Sequence, residues 1–146
     1  MSYVDDSLIP NETVVYRTRL HWIIFGWPVV FVVVACVAFD LRLIRTGEGL
    51  LALALLLFAA KYLLYVASEF AVTNKRVIIK VGFLERRTLE LMLSKVEAIA
   101  VTQNLIGQLF GCGTIMVTGT GGTREPFANI RAPLEFRRAV QTASSP

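Results

Sequence analysis

The sequence has few of the residues on which catalysis and metal binding usually depend. It contains one histidine, His21, and two cysteines, Cys36 and Cys112, which are far apart. Two distant cysteines form neither a disulfide framework nor a metal-ligand spacing, so we expect no disulfide and no metal site. His21 directly precedes Trp22 and has no carboxylate or thiol near it in sequence, which predicts an interfacial residue rather than a general base.

Motifs of catalysis and of nucleic-acid binding are also lacking. Serines are few, and none lies in a nucleophile elbow. The stretch TGTGGTRE, residues 118–125, lacks the lysine and the helix start of a phosphate-binding loop and is typical of a hairpin turn. The net charge is +4, but no aromatic platform lies between the basic residues. We therefore expect a non-enzymatic protein with no catalytic residues, no cofactor, no small-molecule substrate and no nucleic-acid partner.

What the sequence does have is hydrophobic residues, which make up 55% of the 146 and are concentrated in two runs. The first run begins at Trp22 and carries no charge for 18 residues, and the second is interrupted only by Lys61. Each is about as long as a helix that crosses the hydrocarbon core of a bilayer. We predict a transmembrane helical hairpin over residues 22–67, with helices at about 22–41 and 50–67 and a short polar turn between them.

Aromatic and basic residues mark the predicted membrane interfaces. Trp22 and Trp27 lie at one end of the first run, and Tyr62 and Tyr65 follow Lys61 near the end of the second. Indole and phenol rings favour the headgroup level, and a lysine stem extends from the apolar region toward the nearer interface. The alternative for Lys61 is a functional intramembrane charge, such as part of an ion path. No acidic partner lies in either run, which favours the interfacial interpretation.

The distribution of lysine and arginine predicts the orientation of the hairpin. Five basic residues lie near the helix ends on the side of the termini, and two lie in the turn, which places both termini in the cytoplasm. The terminal set is Arg17, Arg19, Lys75, Arg76 and Lys80, and the turn set is Arg42 and Arg45. The start, MSYVDDSLIPNE, has no basic n-region and no cleavage site, so we expect the first helix to remain in the mature protein.

After residue 68 the hydrophobic pattern alternates with period 2, as in half-buried strands. A hairpin is predicted around Gly121-Gly122, a helical turn or loop over 105–113, and a terminal helix that opens at Pro133 and places Phe136 and Val140 on one side. Closely spaced strands followed by one helix predict a curved sheet or partial barrel capped by that helix. In the strand predicted at 76–81, one face carries Val77, Ile79 and Val81 and the other carries Arg76, Ile78 and Lys80. In the stretch 88–93, one face carries Leu89, Leu91 and Leu93 and the other carries Thr88, Glu90 and Met92. For ETVVYRTRL, residues 12–20, a short strand and an interfacial segment both remain open.

Three stretches, in this order, resemble the bacterial pleckstrin-homology (PH) domain family, once described as a membrane-flanked domain of unknown function. They are VTNKRVI at 72–78, SKVEAIAVTQNLIGQLFGCGTIMV at 94–117 and IRAPLEFRRAV at 130–140. The resemblance implies a strongly bent antiparallel sheet of roughly seven strands whose open end is plugged by the C-terminal helix. We predict a cytoplasmic N-terminal segment at 1–21, a PH-like domain at 68–142 and a disordered tail at 143–146.

The candidate membrane-surface or lipid contacts are Lys75, Arg76 and Lys80. Close to an anionic leaflet, each contributes about 1 kcal/mol if it faces the surface. Arg86 and Arg87 are adjacent and point in opposite directions, so the five do not form one flat patch. Eukaryotic lipid-binding members of the fold grip phosphoinositides with a long basic loop between their first two strands. The corresponding connection here is only TNK, which is too short for such a cradle.

These features favour a membrane-anchored interaction or scaffold module in a bacterial cytoplasmic (inner) membrane. It would bind a protein partner or its own copies at a sheet edge or beside the terminal helix. The alternatives are a sensor of anionic lipid that uses Arg76 and Lys80, and a subunit of a transport or channel assembly in which Lys61 faces a bundle interior. Two helices alone rarely fill a stable bundle, so the expected partners are the lipid bilayer and either a homo-oligomer or another membrane protein.

Overall fold

The computed structural model describes residues 3–83, 87–122 and 124–144. The chain forms two compact units: a β unit drawn from Met1–His21 and Ala67–Pro146, and a helical unit, Trp22–Val66. In sequence, the helical unit is therefore an insertion within the β unit.

The N-terminal segment contributes a helix, α1 (Tyr3–Ser7), and a strand, β1 (Val14–Thr18), to the β unit. Of the two interpretations of residues 12–20, the strand is confirmed. The strand is rich in β-branched residues and pairs antiparallel with the strand that follows the helical unit. Residues that precede the helical unit thus belong to the same compact unit as the predicted PH-like domain at 68–142.

The helical unit begins with a 3-10 turn at Trp22–Phe25, followed by α2 (Gly26–Asp40) and α3 (Ile44–Ala67). The prediction that the second helix starts near residue 50 is wrong, because α3 starts at Ile44 and only residues 41–43 form the turn. Arg42 has a left-handed φ of 62° and donates its N–H to Phe39 O at 3.0 Å. Leu43 donates to Ala38 O at 2.9 Å. This pair of bonds is a Schellman motif, which reverses the chain within three residues.

Small residues occupy the closely packed positions of the helical unit. Ala35 and Ala54 are buried, and a Cβ on Gly47 would lie 2.8 Å from the Phe39 ring. The large apolar side chains are exposed instead, with Leu56 at 69%. Within the described residues, α2 with its preceding turn and α3 are the two stretches long and apolar enough to cross a membrane.

Within the described residues, the rest of the β unit completes two antiparallel sheets and adds two α-helices and a 3-10 turn at Leu93–Lys95. The first sheet has the order β1-β2-β3-β4 and the second the order β5-β6-β7. A helix, α4, joins β5 to β6, and a terminal helix, α5, follows β7. The elements are β2 (Glu69–Thr73), β3 (Arg76–Val81), β4 (Arg87–Met92), β5 (Val96–Thr102), α4 (Leu105–Phe110), β6 (Cys112–Gly119), β7 (Arg124–Arg131) and α5 (Pro133–Ser144).

The chain beyond β1 connects the two sheets. Leu20 bridges Ile130, His21 donates its N–H to Asn129 O at 2.7 Å, and Arg131 donates to Arg19 O at 3.1 Å. The N-terminal segment therefore pairs first with β2 and then with β7. Antiparallel sheets closed by a C-terminal helix are consistent with the predicted PH-like fold.

The core lies between the sheets and α5. Phe136 and Val140 of α5 are buried, as the sequence predicts, and Phe136 meets Tyr16 of β1 edge-on with ring centroids 6.4 Å apart. Phe70 and Phe127 form a second edge-on pair at 6.1 Å. The helix α5 runs into the segment predicted as a tail, through Ser144; residues 145–146 lie outside the described residues.

Candidate functional site

The face of β3 that carries Arg76 and Lys80 is covered by the protein's own N-terminal segment. Ile78 shares this face and is fully buried in a cluster with Val4 of α1 and Ala71 of β2. Tyr3 and Val14 pack against the same cluster. The outer face of the first sheet thus has a small apolar core of its own, which the alternating pattern of β3 alone did not reveal.

Arg76 is the centre of an ion-pair network on this covered face. Its Nε lies 2.9 Å from Glu12 Oε1, and its Nη1 lies 2.6 Å from Glu90 Oε2. Its Nη2 donates to Ser7 O at 2.6 Å. The Arg76 side chain is only 14% exposed. In this arrangement the guanidinium holds the N-terminal segment to β3 and β4.

Glu12 is the buried anion of this network. Besides Arg76, its carboxylate accepts hydrogen bonds from Thr73 Oγ1 at 2.7 Å and from the Ile9 N–H at 2.8 Å. Burial by itself would raise the pKa of Glu12, but the hydrogen bonds from Arg76, Ile9 and Thr73 outweigh it and lower the pKa below its ordinary value. Glu12 is therefore ionised at neutral pH.

The other two predicted lipid contacts also meet the N-terminal segment. Lys75 donates from Nζ to Pro10 O at 2.9 Å, and Lys80 Nζ lies 4.4 Å from the centroid of the Tyr3 ring, within the range of a cation–π contact. Arg17 forms an ion pair with Asp5. Lys75, Arg76 and Lys80 are thus brought together on one surface, and each contacts residues before position 13. Arg86 lies outside the described residues.

The predicted interface anchors divide into exposed and packed side chains. Trp22, Trp27 and Tyr62 are exposed, and Lys61 and Tyr65 are half-buried. The Tyr65 ring lies 5.8 Å from that of Phe25, which also packs on Phe58 at 5.0 Å. Tyr65 therefore contributes to packing within the helical unit.

A cleft opens between the first residues of β4 and those of β7. It has a volume of about 490 Å³ and is lined by Arg87, Thr88, Leu89, Glu125 and Phe127. A pocket of about 140 Å³ shares three of these residues and adds five apolar ones: Leu20, Phe70, Val81, Pro126 and Ala128. The apolar side chains that line the cleft and the pocket form an apolar floor, which is bordered by one basic side chain, Arg87, and one acidic side chain, Glu125.

The cleft lies beside an open sheet edge. In the described part of the chain, β4 pairs with β3 alone, so the backbone groups on its other edge are not used within the sheet. Leu89 and Leu91 point inward, while Thr88 and Glu90 are exposed, as the alternation predicts. An extended peptide could add to this edge and place side chains in the cleft.

A family model described as Bacterial PH domain matches residues 21–144. The chain belongs to the bacterial PH domain family. The resemblance noted in the sequence is therefore confirmed, and PH domains are generally non-catalytic interaction modules. No curated protein and no solved structure matches the chain.

In this bacterial PH domain, residues before the matched range complete the structure. The match begins at His21, whereas α1, Glu12 and β1 precede it. Sequence reasoning missed Glu12 and Glu90 as partners of Arg76; the available signal was an acidic start that complements a basic strand. Across the described ranges, no three histidine, cysteine or acidic side chains come together as metal ligands.

Proposed function

We propose that this protein is a membrane-anchored, non-enzymatic interaction module in which the bacterial PH domain binds an extended segment of a protein partner at the cytoplasmic membrane surface. The observation that carries the proposal is the cleft between β4 and β7, which combines an open strand edge with an apolar floor. Backbone hydrogen bonds along β4 would supply affinity, and the floor at Leu89 and Phe127 would select side chains.

The helical unit supports the membrane anchor. The 24 residues of α3 give a helix of about 36 Å, and the 3-10 turn with the 15 residues of α2 spans about 30 Å. Both match the hydrocarbon core of about 30 Å. The large side chains on their surfaces are apolar, and their burial against lipid removes them from water.

The positions of the basic residues support cytoplasmic termini. The turn at 41–43 contains Arg42, and Arg45 lies in the first turn of α3, so two basic residues flank the turn end. Five flank the other end, which favours that end for the cytoplasm. Because β1 precedes the hairpin and β2 follows it, the PH domain is anchored at two points of its sheet. Two anchors restrict its height and orientation more than one flexible linker would.

The contacts of the basic residues favour a protein ligand over an anionic lipid. Arg76, which the lipid-sensing alternative requires, is already paired with Glu12 and Glu90 and is largely buried. The cleft, by contrast, presents both Arg87 and Glu125. A mixed pair of charges above an apolar floor suits a polypeptide with alternating polar and apolar side chains.

Site-specific photo-crosslinking in native membranes tests the proposal. A photoreactive amino acid replaces Thr88, which is exposed on β4, in the full chain. The matched control replaces Thr142, which is exposed on α5 and does not line the cleft. The expected result is a discrete adduct at Thr88, with a mass that distinguishes another protein from a second copy, and none at Thr142. Absence of an adduct at Thr88, or equal adducts at both positions, would contradict docking at the β4 edge.

A further inference from the structure

We propose that α4 is a membrane-inserting wedge, which places its apolar side chains among the acyl chains of the leaflet nearest the PH domain. This inference rests on the proposed membrane anchor and adds a second, independent lipid contact to it. The contact is apolar and comes from the β unit itself, so it differs from both the hairpin and the predicted basic surface.

The exposed side chains of α4 form an apolar patch on the β unit. Leu105 is 84% exposed and Leu109 is 81% exposed, and Ile106 and Phe110 are also exposed. Four large apolar residues occupy a six-residue helix and are left in solvent by the rest of the unit. Contiguous patches of this kind mark sites of protein or membrane interaction.

The fold holds this helix in place at both ends. The Asn104 side chain caps it by accepting the Gly107 N–H at 2.7 Å, and Gly111 ends it with a left-handed φ of 71°. Gln103 Nε2 donates to Cys112 O at 2.9 Å. Gly107 is packed so closely that an added Cβ would lie 2.6 Å from Cys112 O. These contacts fix α4 in a position that leaves its two leucines exposed.

The position of α4 within the β unit favours lipid as the occupant. The His21 side chain forms a hydrogen bond with the Phe110 backbone, and Ala132 donates its N–H to Gly111 O at 2.9 Å. His21 is the last residue before Trp22, where the helical unit begins. A six-residue helix is about 9 Å long, so all of α4 lies close to the point at which the chain enters the proposed hairpin.

The charge pattern agrees with an apolar environment. Residues 98–123, which include α4, all of β6 and β5 from Ala98 onward, contain no charged residue. An element whose side chains lie among acyl chains is expected to lack charge, because a charged side chain is unfavourable in hydrocarbon. The cleft proposed for a protein partner differs in this respect, since it is bordered by Arg87 and Glu125.

Tryptophan quenching in proteoliposomes tests the wedge on the full chain. Trp22 and Trp27, the two native tryptophans, are replaced by phenylalanine, and one tryptophan is introduced by Leu109→Trp or, in a second variant, by Leu105→Trp. The matched control is Thr120→Trp, because Thr120 is exposed and directly follows β6, whose eight residues from Cys112 onward span about 25 Å. The vesicles contain a phosphatidylcholine with brominated acyl chains, which quenches only tryptophans within the bilayer.

We expect the Leu109→Trp and Leu105→Trp emissions to be blue-shifted and to lose most of their intensity, whereas Thr120→Trp emits as in water. The unmodified protein, which keeps Trp22 and Trp27, reports on the hairpin. If its emission is quenched but neither leucine variant responds, the anchor stands and the wedge is overturned. A blue shift without quenching at both α4 positions means that protein covers the patch, which also overturns the wedge. If the unmodified protein is not quenched, the proposed anchor fails.

Discussion

The β unit and the helical unit arrange their apolar residues in opposite ways. In the β unit, large side chains such as Phe70 and Phe136 are fully buried, and most charges lie at the surface. In the helical unit, Ala35 and Ala54 are buried, whereas Leu55 and Leu56 are 62% and 69% exposed. The first arrangement is typical of a domain folded in water, and the second is the one expected if the helical unit is the proposed membrane anchor, because small residues allow helices to approach closely in lipid. The two units therefore differ in which side chains they bury, and this difference is what the proposed membrane anchor predicts.

The largest expected effect comes from placing an aspartate at an exposed apolar position of the helical unit. The control is the same change at a similarly exposed apolar position of the β unit. Leu56 lies at the middle of α3, and Met92 of β4 is 65% exposed. Leu56→Asp should raise the free energy of membrane insertion of α3 by about 3–4 kcal/mol, because an aspartate at the bilayer centre is costly. Met92→Asp should change stability by less than about 0.5 kcal/mol, as most surface substitutions do.

An insertion reporter for α3 and thermal unfolding of the full chain measure these two quantities. If Leu56→Asp inserts as well as the parent chain, the helical unit does not lie in lipid and the contrast between the units is wrong.

A second prediction concerns the buried ion pair of the β unit. Glu12→Ala should lower the free energy of unfolding by about 3 kcal/mol, because it leaves Arg76 and Thr73 without their buried partner. The control is Glu97→Ala, since Glu97 is exposed on β5; it should have an effect below about 0.5 kcal/mol. Chemical unfolding of the detergent-solubilised protein gives both values. Equal effects would show that the N-terminal segment does not stabilise the sheet.

A third prediction tests the close packing of the helical unit. Gly47→Val should destabilise the hairpin by about 2 kcal/mol, because its side chain would clash with the Phe39 ring. A Cβ added to Gly49 would meet open space, so Gly49→Val should be close to neutral. Unfolding of the hairpin in mixed micelles, followed by the proximity of labels on α2 and α3, distinguishes the two variants. Similar results for both would argue against packing at Gly47.

The smallest expected effect is a pH dependence from His21. Burial, together with the nearby Arg131, lowers the pKa of His21 in the folded protein, although its hydrogen bond to the Phe110 backbone opposes this. The unfolded chain therefore binds a proton more readily, so stability should fall as the pH drops below about 6.5 and should level off below the folded pKa. The chain with His21→Gln should lose this part of the pH dependence. Unfolding measured between pH 7.5 and pH 5 shows whether the two profiles differ.

Much of the β unit follows from local pattern. The inward leucines of β4, the paired glycines of the β6–β7 turn and the buried side of α5 are all set by periodicity or turn chemistry. The cover over β3 was missed because it depends on residues far away in sequence. Glu12 and Arg76 lie 64 residues apart in sequence, on either side of the 45-residue helical unit, and local alternation carries no information about such a contact.

The start of α3 was missed for a different reason. The glycines in RTGEG are typical of a turn, yet Gly47 lies inside α3. There its lack of a side chain leaves room for the Phe39 ring. The absence of a side chain favours glycine in turns, and it also favours glycine where two helices pack closely. The edge of β4 was predictable as a general site for strand addition, but the cleft beside it required the tertiary position of β7.

Cysteine accessibility in intact cells tests the central claim most directly. The parent chain carries Cys36→Ala, and Cys112 is buried with its thiol pKa raised mainly by that burial, so it contributes little background. A membrane-impermeant maleimide is applied to chains with Arg42→Cys, in the hairpin turn, or Thr120→Cys, in the β unit. A hairpin that spans the inner membrane with the PH domain in the cytoplasm predicts labelling of Arg42→Cys in intact cells and of Thr120→Cys only after the inner membrane is permeabilised. Labelling of both positions in intact cells, or of Thr120→Cys alone, would contradict the account.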